Sequence, residues 1–170
     1  MILLFIAVST SFCHSHKNIS STNDNSSSTK SKKIQSKYAQ ILSVDENKIG
    51  NIKLYSFIDE WYGVPYKYGG KNKSGIDCSN FTSTLYNAVY NKPLIGSSSS
   101  IFEQCKSVSK NNLEEGDFVF FKIDGDKISH IGVYLQNNKF VHATTKKGVM
   151  IDDIDEPYYK KYFYKGGRIN

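Results

Sequence analysis

Past Leu113 every apolar segment is short, and turn residues close each one before it reaches the length of a helix. The run Phe118, Val119, Phe120, Phe121 is apolar at every position, which reads as a strand buried over much of its length. SHIGVYLQNNKFVHA then divides into two strands, 129–135 and 139–144, about the turn residues Asn137 and Asn138. GVMIDDI supplies a fourth strand and YFYKGGRI, near the end, a fifth. Helices first and a meander of strands afterwards read as α+β.

The helical part lies ahead of this meander. NIKLYSFIDEWY places Leu54, Ile58 and Trp61 on one stripe, so a helix is expected over 51–62, with Trp61 in its buried face. GVPYKYGGKNKSGID is a turn-rich loop that delivers the chain to Cys78. Asp77 can cap a helix whose inward face carries Phe81, Leu85 and Val89. Cys78 then falls in the first turn, where free backbone N–H groups and the helix dipole favour a thiolate. Cys78 also lies three residues before Phe81, so periodicity alone equally allows a small buried hydrophobe. SSSSIFEQCKSV holds another short helix, with Ile101 and Cys105 on one face and Cys105 in the core. Asp117, after Gly116 and before a strand, reads as a structural turn residue.

Residues 1–12, MILLFIAVSTSF, are too short an apolar run to span a bilayer and fit a secretory leader, although no positive n-region precedes them. Cys13 follows directly and is a candidate lipid-attachment residue, which leaves lipoprotein, secreted and cytosolic readings open. Residues 18–30 are almost entirely Ser, Thr and Asn, the composition of a flexible tether. The expected organisation is therefore a leader over 1–13, a tether over 14–37 and one folded domain over 38–170. Most of the formal charge of +6 sits ahead of that domain, so the folded part carries no basic footprint for nucleic acid.

A cysteine nucleophile needs a base within hydrogen-bond reach and a third group to orient that base. Of the four histidines, His14 and His16 flank the tether, whereas His130 begins one strand of the hairpin and His142 lies toward the end of the next. Antiparallel pairing brings these ends side by side with matching parity, so both rings can share a face. His130 would take the Cys78 proton on one nitrogen while His142 holds the other. Two strand histidines are also common as ordinary surface or core residues. Cys78, His130 and His142 could formally ligate zinc, but neither a close ligand pair nor an HExxH segment is present, and no metal or cofactor is expected. Three cysteines make no disulfide framework, although Cys78 and Cys105 could pair. No phosphate-binding or dinucleotide glycine fingerprint occurs.

WYGVPYKYGG, GIDCSNF, NLEEGDFVFF, SHIGVYLQNNKFVHA and DEPYYKKYF follow one another in the order of the NlpC/P60 family of papain-like cysteine peptidases. The chain from Trp61 onward resembles that family, and within it the Spr-type murein endopeptidase lipoproteins. The resemblance implies a papain-like fold, with N-terminal helices packed on an antiparallel sheet of five to six strands. It implies Cys78 as nucleophile, His130 as general base and acid, His142 as the residue orienting it, and Tyr66 as a hydroxyl beside the oxyanion. Without it, Tyr66 in a glycine-rich loop reads as a packing aromatic. One departure is Asn80, which stands where the family usually has glycine.

The activity implied is hydrolysis of an amide in peptidoglycan stem peptides, most concretely the D-alanyl to meso-diaminopimelate cross-link, through an acyl-enzyme. Rival readings are a wall-binding protein of the same fold with weak or no activity, and a Cys/His amidase or acyltransferase acting on another acyl group. The resemblance also implies a monomer in the cell envelope or periplasm, attached to the outer membrane by lipid at Cys13 or otherwise secreted. Unregulated cleavage of cross-links would endanger the cell, so restraint by abundance, an adaptor or a protease is expected.

Overall fold

In a computed structural model, which describes residues 23–169, three helices precede and cover one face of an antiparallel sheet. They are α1 (Asn23–Leu42), α2 (Ile52–Trp61) and α3 (Cys78–Tyr90). Between α2 and α3 runs a small hairpin of β1 (Lys71–Asn72) and β2 (Gly75–Ile76), and after α3 comes the short α4 (Ser98–Glu103). The main sheet holds β3 (Lys106–Val108), β4 (Phe118–Phe121), β5 (His130–Tyr134), β6 (Lys139–Thr144), β7 (Gly148–Asp153) and β8 (Phe163–Arg168). Its spatial order is β3-β8-β4-β5-β6-β7, with every neighbour antiparallel. The meander is therefore continuous from β4 to β7. The last strand crosses back over the turn of helix α5 (Pro157–Tyr162) to pair on the other side of β4.

Alternation along the strands sorts the core into two layers. Phe118, Phe120, Ile131, Val133, Val141 and Ala143 face the helices, where Leu54, Ile58, Phe81 and Leu85 are fully buried. Trp61 joins this layer, with its ring centroid 6.3 Å from that of Phe81. Val119, Phe121, Phe140 and Ile154 form the second layer on the opposite face, packed by Tyr159, Tyr162 and Phe163. The strand β4 is thus apolar throughout because it is buried on both faces, as its sequence requires.

The segment expected as a tether over 14–37 is helical from Asn23 onward. Ile34, Tyr38, Ala39 and Leu42 form a buried stripe, and the Tyr38 and Tyr55 rings stand 5.0 Å apart between α1 and α2. The packed part of the chain consequently begins ahead of residue 38. A Ser- and Lys-rich outer face masks a stripe that starts at Ile34, and tertiary packing rather than propensity holds this helix. The leader over 1–13, Cys13, His14 and His16 lie outside the described residues. No helix among the described residues is long and apolar enough to cross a membrane.

Asp117 is a structural residue. Its carboxylate accepts from Arg168 Nε at 2.6 Å, from Arg168 Nη2 at 2.7 Å and from the Glu114 N–H at 2.8 Å, tying the start of β4 to β8. Cys105 is only partly buried. It packs against Gly167 and donates its S–H to the Ile101 carbonyl at 3.1 Å, and both it and Cys78 are free thiols.

Candidate active site

Cys78 opens α3, and the turn before it is braced by one carboxylate. Asp77 accepts from the Asn80 N–H at 2.8 Å as an N-cap, and from Asn80 Nδ2 at 2.8 Å, Ser79 Oγ at 2.9 Å and the Gly69 N–H at 3.0 Å. Asn80 therefore braces the cap with its side chain, in the place where the resemblance leads one to expect glycine. Tyr66 reaches the same point because its strand-like segment bridges in parallel to Ile76, two residues before Cys78.

The two histidines arrive from the hairpin. Register pairs Val133 with Val141, which puts Gly132 opposite His142 and His130 one diagonal step away on the same face. Gly132 is needed there: a Cβ would come within 2.6 Å of the Phe140 ring and 3.2 Å of the His142 Cβ. His130 Nε2 lies 2.6 Å from His142 Nδ1, and their ring centroids are 4.9 Å apart. His142 Nε2 in turn lies 2.9 Å from Asp152 Oδ2 on β7, and the Tyr159 hydroxyl donates to the same oxygen at 2.8 Å. Gly148 makes the turn into β7 feasible, since it has φ of +71° and a Cβ would fall 2.1 Å from the Val64 carbonyl oxygen.

Asp152 is not singled out by the sequence reading. Alternation along GVMIDDI carries the signal for Asp152, because positions 150 and 152 share the face of His142. Nothing in the local pattern marks Tyr159, which the return through α5 brings in.

Cys78 is 8% exposed. Burial pushes its thiol up to about 11; the backbone N–H of Ile131, the residue after His130, opposes this, Asp77 adds to it, and the first-turn N–H groups of Ser79 and Cys78 also oppose it. The helix-start donors expected to favour a thiolate do act on the sulfur, but desolvation is the larger effect. His130 is held well below its ordinary value by burial and by His142 beside it, against the pull of Asp152. His142 is also lowered by burial, opposed by its hydrogen bond to Asp152 and by that carboxylate's charge. Burial raises Asp152, yet hydrogen bonds from His142 and Tyr159, with the charges of His142 and Lys147, bring it below the usual carboxylate range. Burial thus favours the neutral thiol at Cys78 and the neutral imidazole at His130 and His142.

Acid should therefore destabilise the fold early. Both histidines titrate lower in the folded chain than the ordinary 6.5, so below that pH the unfolded chain binds more protons. Their contribution is complete above pH 6.5 and is lost as pH falls toward the folded values, with a slope of up to about 2.7 kcal/mol per pH unit for the pair. Thermal unfolding between pH 8 and pH 5 reads this directly, and a flat melting temperature across about pH 5 to 7 would contradict it.

A cleft of about 490 Å³ opens over the two histidines. Tyr66, Asp124, Lys146, Lys147, Glu156 and Tyr158 stand in its walls, so both signs of charge border it. Cys78 is close enough for its charge, after burial, to raise the hydroxyl of Tyr66 in that wall. Among the described residues no group of three or more His, Cys, Asp or Glu is placed to hold a metal ion.

The sequence profile described as NlpC/P60 family matches residues 63–168. The chain is 40% identical over 128 residues to the murein DD-endopeptidase MepS/murein LD-carboxypeptidase of Escherichia coli K12, covering 73% of this chain and 68% of that one. It is 38% identical over 121 residues to the probable endopeptidase NlpC homolog of Haemophilus influenzae, covering 71% of this chain and 64% of the other. A solved NlpC/P60 family protein from Bacillus cereus superposes with a TM-score of 0.63 at 25% identity, over 68% of this chain and 39% of that one. The chain thus spans about two fifths of the length of that solved structure.

Proposed function

Since the chain belongs to the NlpC/P60 family, we propose that it is a peptidoglycan hydrolase, a Spr-type cysteine endopeptidase that cuts amide bonds in stem-peptide cross-links. The observation that carries this reading is the 2.6 Å contact between His130 and His142 beside a cysteine at a capped helix start. That set supplies a nucleophile, a base and an orienting group together. The bond proposed is D-alanyl to meso-diaminopimelate. Such a substrate carries free carboxylates and ammonium groups, and the cleft offers Lys146 and Lys147 against Asp124 and Glu156.

In this mechanism Cys78 Sγ attacks the D-alanyl carbonyl while its proton passes to His130 Nδ1, the ring nitrogen that His142 leaves free. Coupled transfer is required because the thiol is not ionised at rest. Charge developing on the carbonyl oxygen is met by the Cys78 backbone N–H and the Tyr66 hydroxyl. His130 then gives its proton to the departing amine of diaminopimelate. A thioester to D-alanine remains. Water, deprotonated by His130, hydrolyses it and restores the thiol.

On the same reading the enzyme works in the cell envelope as a monomer, with Cys13 as the lipid anchor of an outer-membrane lipoprotein. Restraint by an adaptor or a protease belongs to the same reading. Mass spectrometry of cross-linked muropeptide dimers incubated with the full chain tests the reaction. Conversion of dimers to two intact monomers is expected, and the product masses identify the bond. Dimers left intact while monomeric muropeptides in a parallel incubation are shortened would move the activity within the stem. No change in either substrate would overturn the peptidase reading in favour of wall binding or another acyl substrate.

A further inference from the structure

We propose that Asp152 is a positioning residue: acting through His142, it fixes the proton arrangement of both histidines so that His130 presents an unprotonated Nδ1 to the Cys78 thiol. The proposal rests on the reading of Cys78 and His130 as nucleophile and base, and it adds a fourth member to the set.

An ionised carboxylate only accepts, so the His142 proton lies on Nε2, 2.9 Å from Asp152 Oδ2. A neutral imidazole has one N–H, which leaves His142 Nδ1 as a lone pair. That lone pair faces His130 Nε2 at 2.6 Å, and two nitrogens in contact must share one proton. The proton therefore belongs to His130 Nε2. His130 Nδ1 is left bare, in the form a general base requires.

Tyr159 reinforces this order. Its oxygen stands 3.5 Å from His142 Nε2 but only 2.8 Å from Asp152 Oδ2, so its proton goes to the carboxylate and does not compete for the imidazole. Around the relay, Phe140 and Phe121 pack on the two rings and Phe163 packs on Phe121. The other charged groups acting there are Lys147 on Asp152 and Glu156 on Tyr159. Asp152 also stabilises the imidazolium that forms when the thiol proton arrives, since its charge favours protonation of His130.

Asparagine at 152 can turn its amide N–H toward His142 Nε2. The relay then reverses: His142 carries its proton on Nδ1, and His130 carries its own on the nitrogen meant to receive one from Cys78. Asp152→Asn should lower kcat about 100-fold with KM little changed, the effect of a wrong tautomer passed through one intervening ring. Alkylation of Cys78 by iodoacetamide at neutral pH should slow in parallel, its pH profile moving toward that of an isolated buried thiol. A role limited to holding β7 in place would lower the melting temperature without moving that profile. Asp152→Asn with native kcat and a native alkylation profile overturns the proposal.

Nitrogen NMR of the unmodified full chain keeps the test independent of any variant's folding. Both rings are expected as Nε2–H tautomers, and either ring as Nδ1–H overturns the proposal. If the native chain leaves muropeptides uncut, the functional reading falls while the tautomers still decide the relay.

Discussion

Cys78→Ala is expected to reduce muropeptide cleavage by at least about 1,000-fold while leaving the melting temperature within a few degrees of the native value. The two halves of that expectation come from different observations. Loss of activity follows from the proposed thioester chemistry: Cys105, the other cysteine among the described residues, lies just ahead of β3, at the opposite edge of the sheet from β6 and β7, and donates its S–H to the Ile101 carbonyl. Retention of the fold follows because the hydrogen bonds of the cap run from Ser79 Oγ and from the Asn80 N–H and Nδ2 to the Asp77 carboxylate, and none of them passes through the Cys78 sulfur. Removing one buried sulfur leaves a small gap, with a cost of about 1 kcal/mol. Reduced activity accompanied by a collapse in stability would point instead to the buried-hydrophobe reading of this residue. Cys78→Ser should fall nearly as far, because an alcohol ionises much less readily than a thiol.

Much of this arrangement is legible in the sequence, for reasons that differ by element. The hairpin of β5 and β6 is fixed by Asn137 and Asn138, both at positive φ in the structure, and a single register then puts His130 and His142 on one face. The start of α3 is fixed by Asp77, whose carboxylate competes well for first-turn N–H groups. Elements whose identity depends on distant partners are not legible. The helix α1 hides behind a polar face, β3 exists only because β8 returns to pair with it, and α5 is one short turn of tyrosines and lysines. Asp152 lies between these cases. Its strand and parity are local properties, but its role depends on β7 lying beside β6. The ionisation state of Cys78 is not legible, because the sequence shows a helix start without showing how deeply that start is buried.

Removing the base is expected to cost nearly as much as removing the nucleophile. His130→Gln should lower cleavage by about 1,000-fold, and the double variant with Cys78→Ala should lose little more than either single one, because residues that act as a unit do not contribute additively. Alkylation distinguishes this from damage to the site. With burial holding the thiol near 11, a chain lacking His130 has only solvent to take the proton. Its alkylation rate should rise about tenfold per pH unit from neutrality up to that value. The native chain should alkylate faster at neutral pH, because His130 Nδ1 accepts the proton, and its profile should be correspondingly flatter. Below pH 6.5 its advantage should persist, since burial and His142 hold His130 in its neutral form to lower pH. Identical alkylation profiles in the two proteins would mean that His130 does not draw the proton from Cys78. The base would then have to be sought among the other groups lining the cleft.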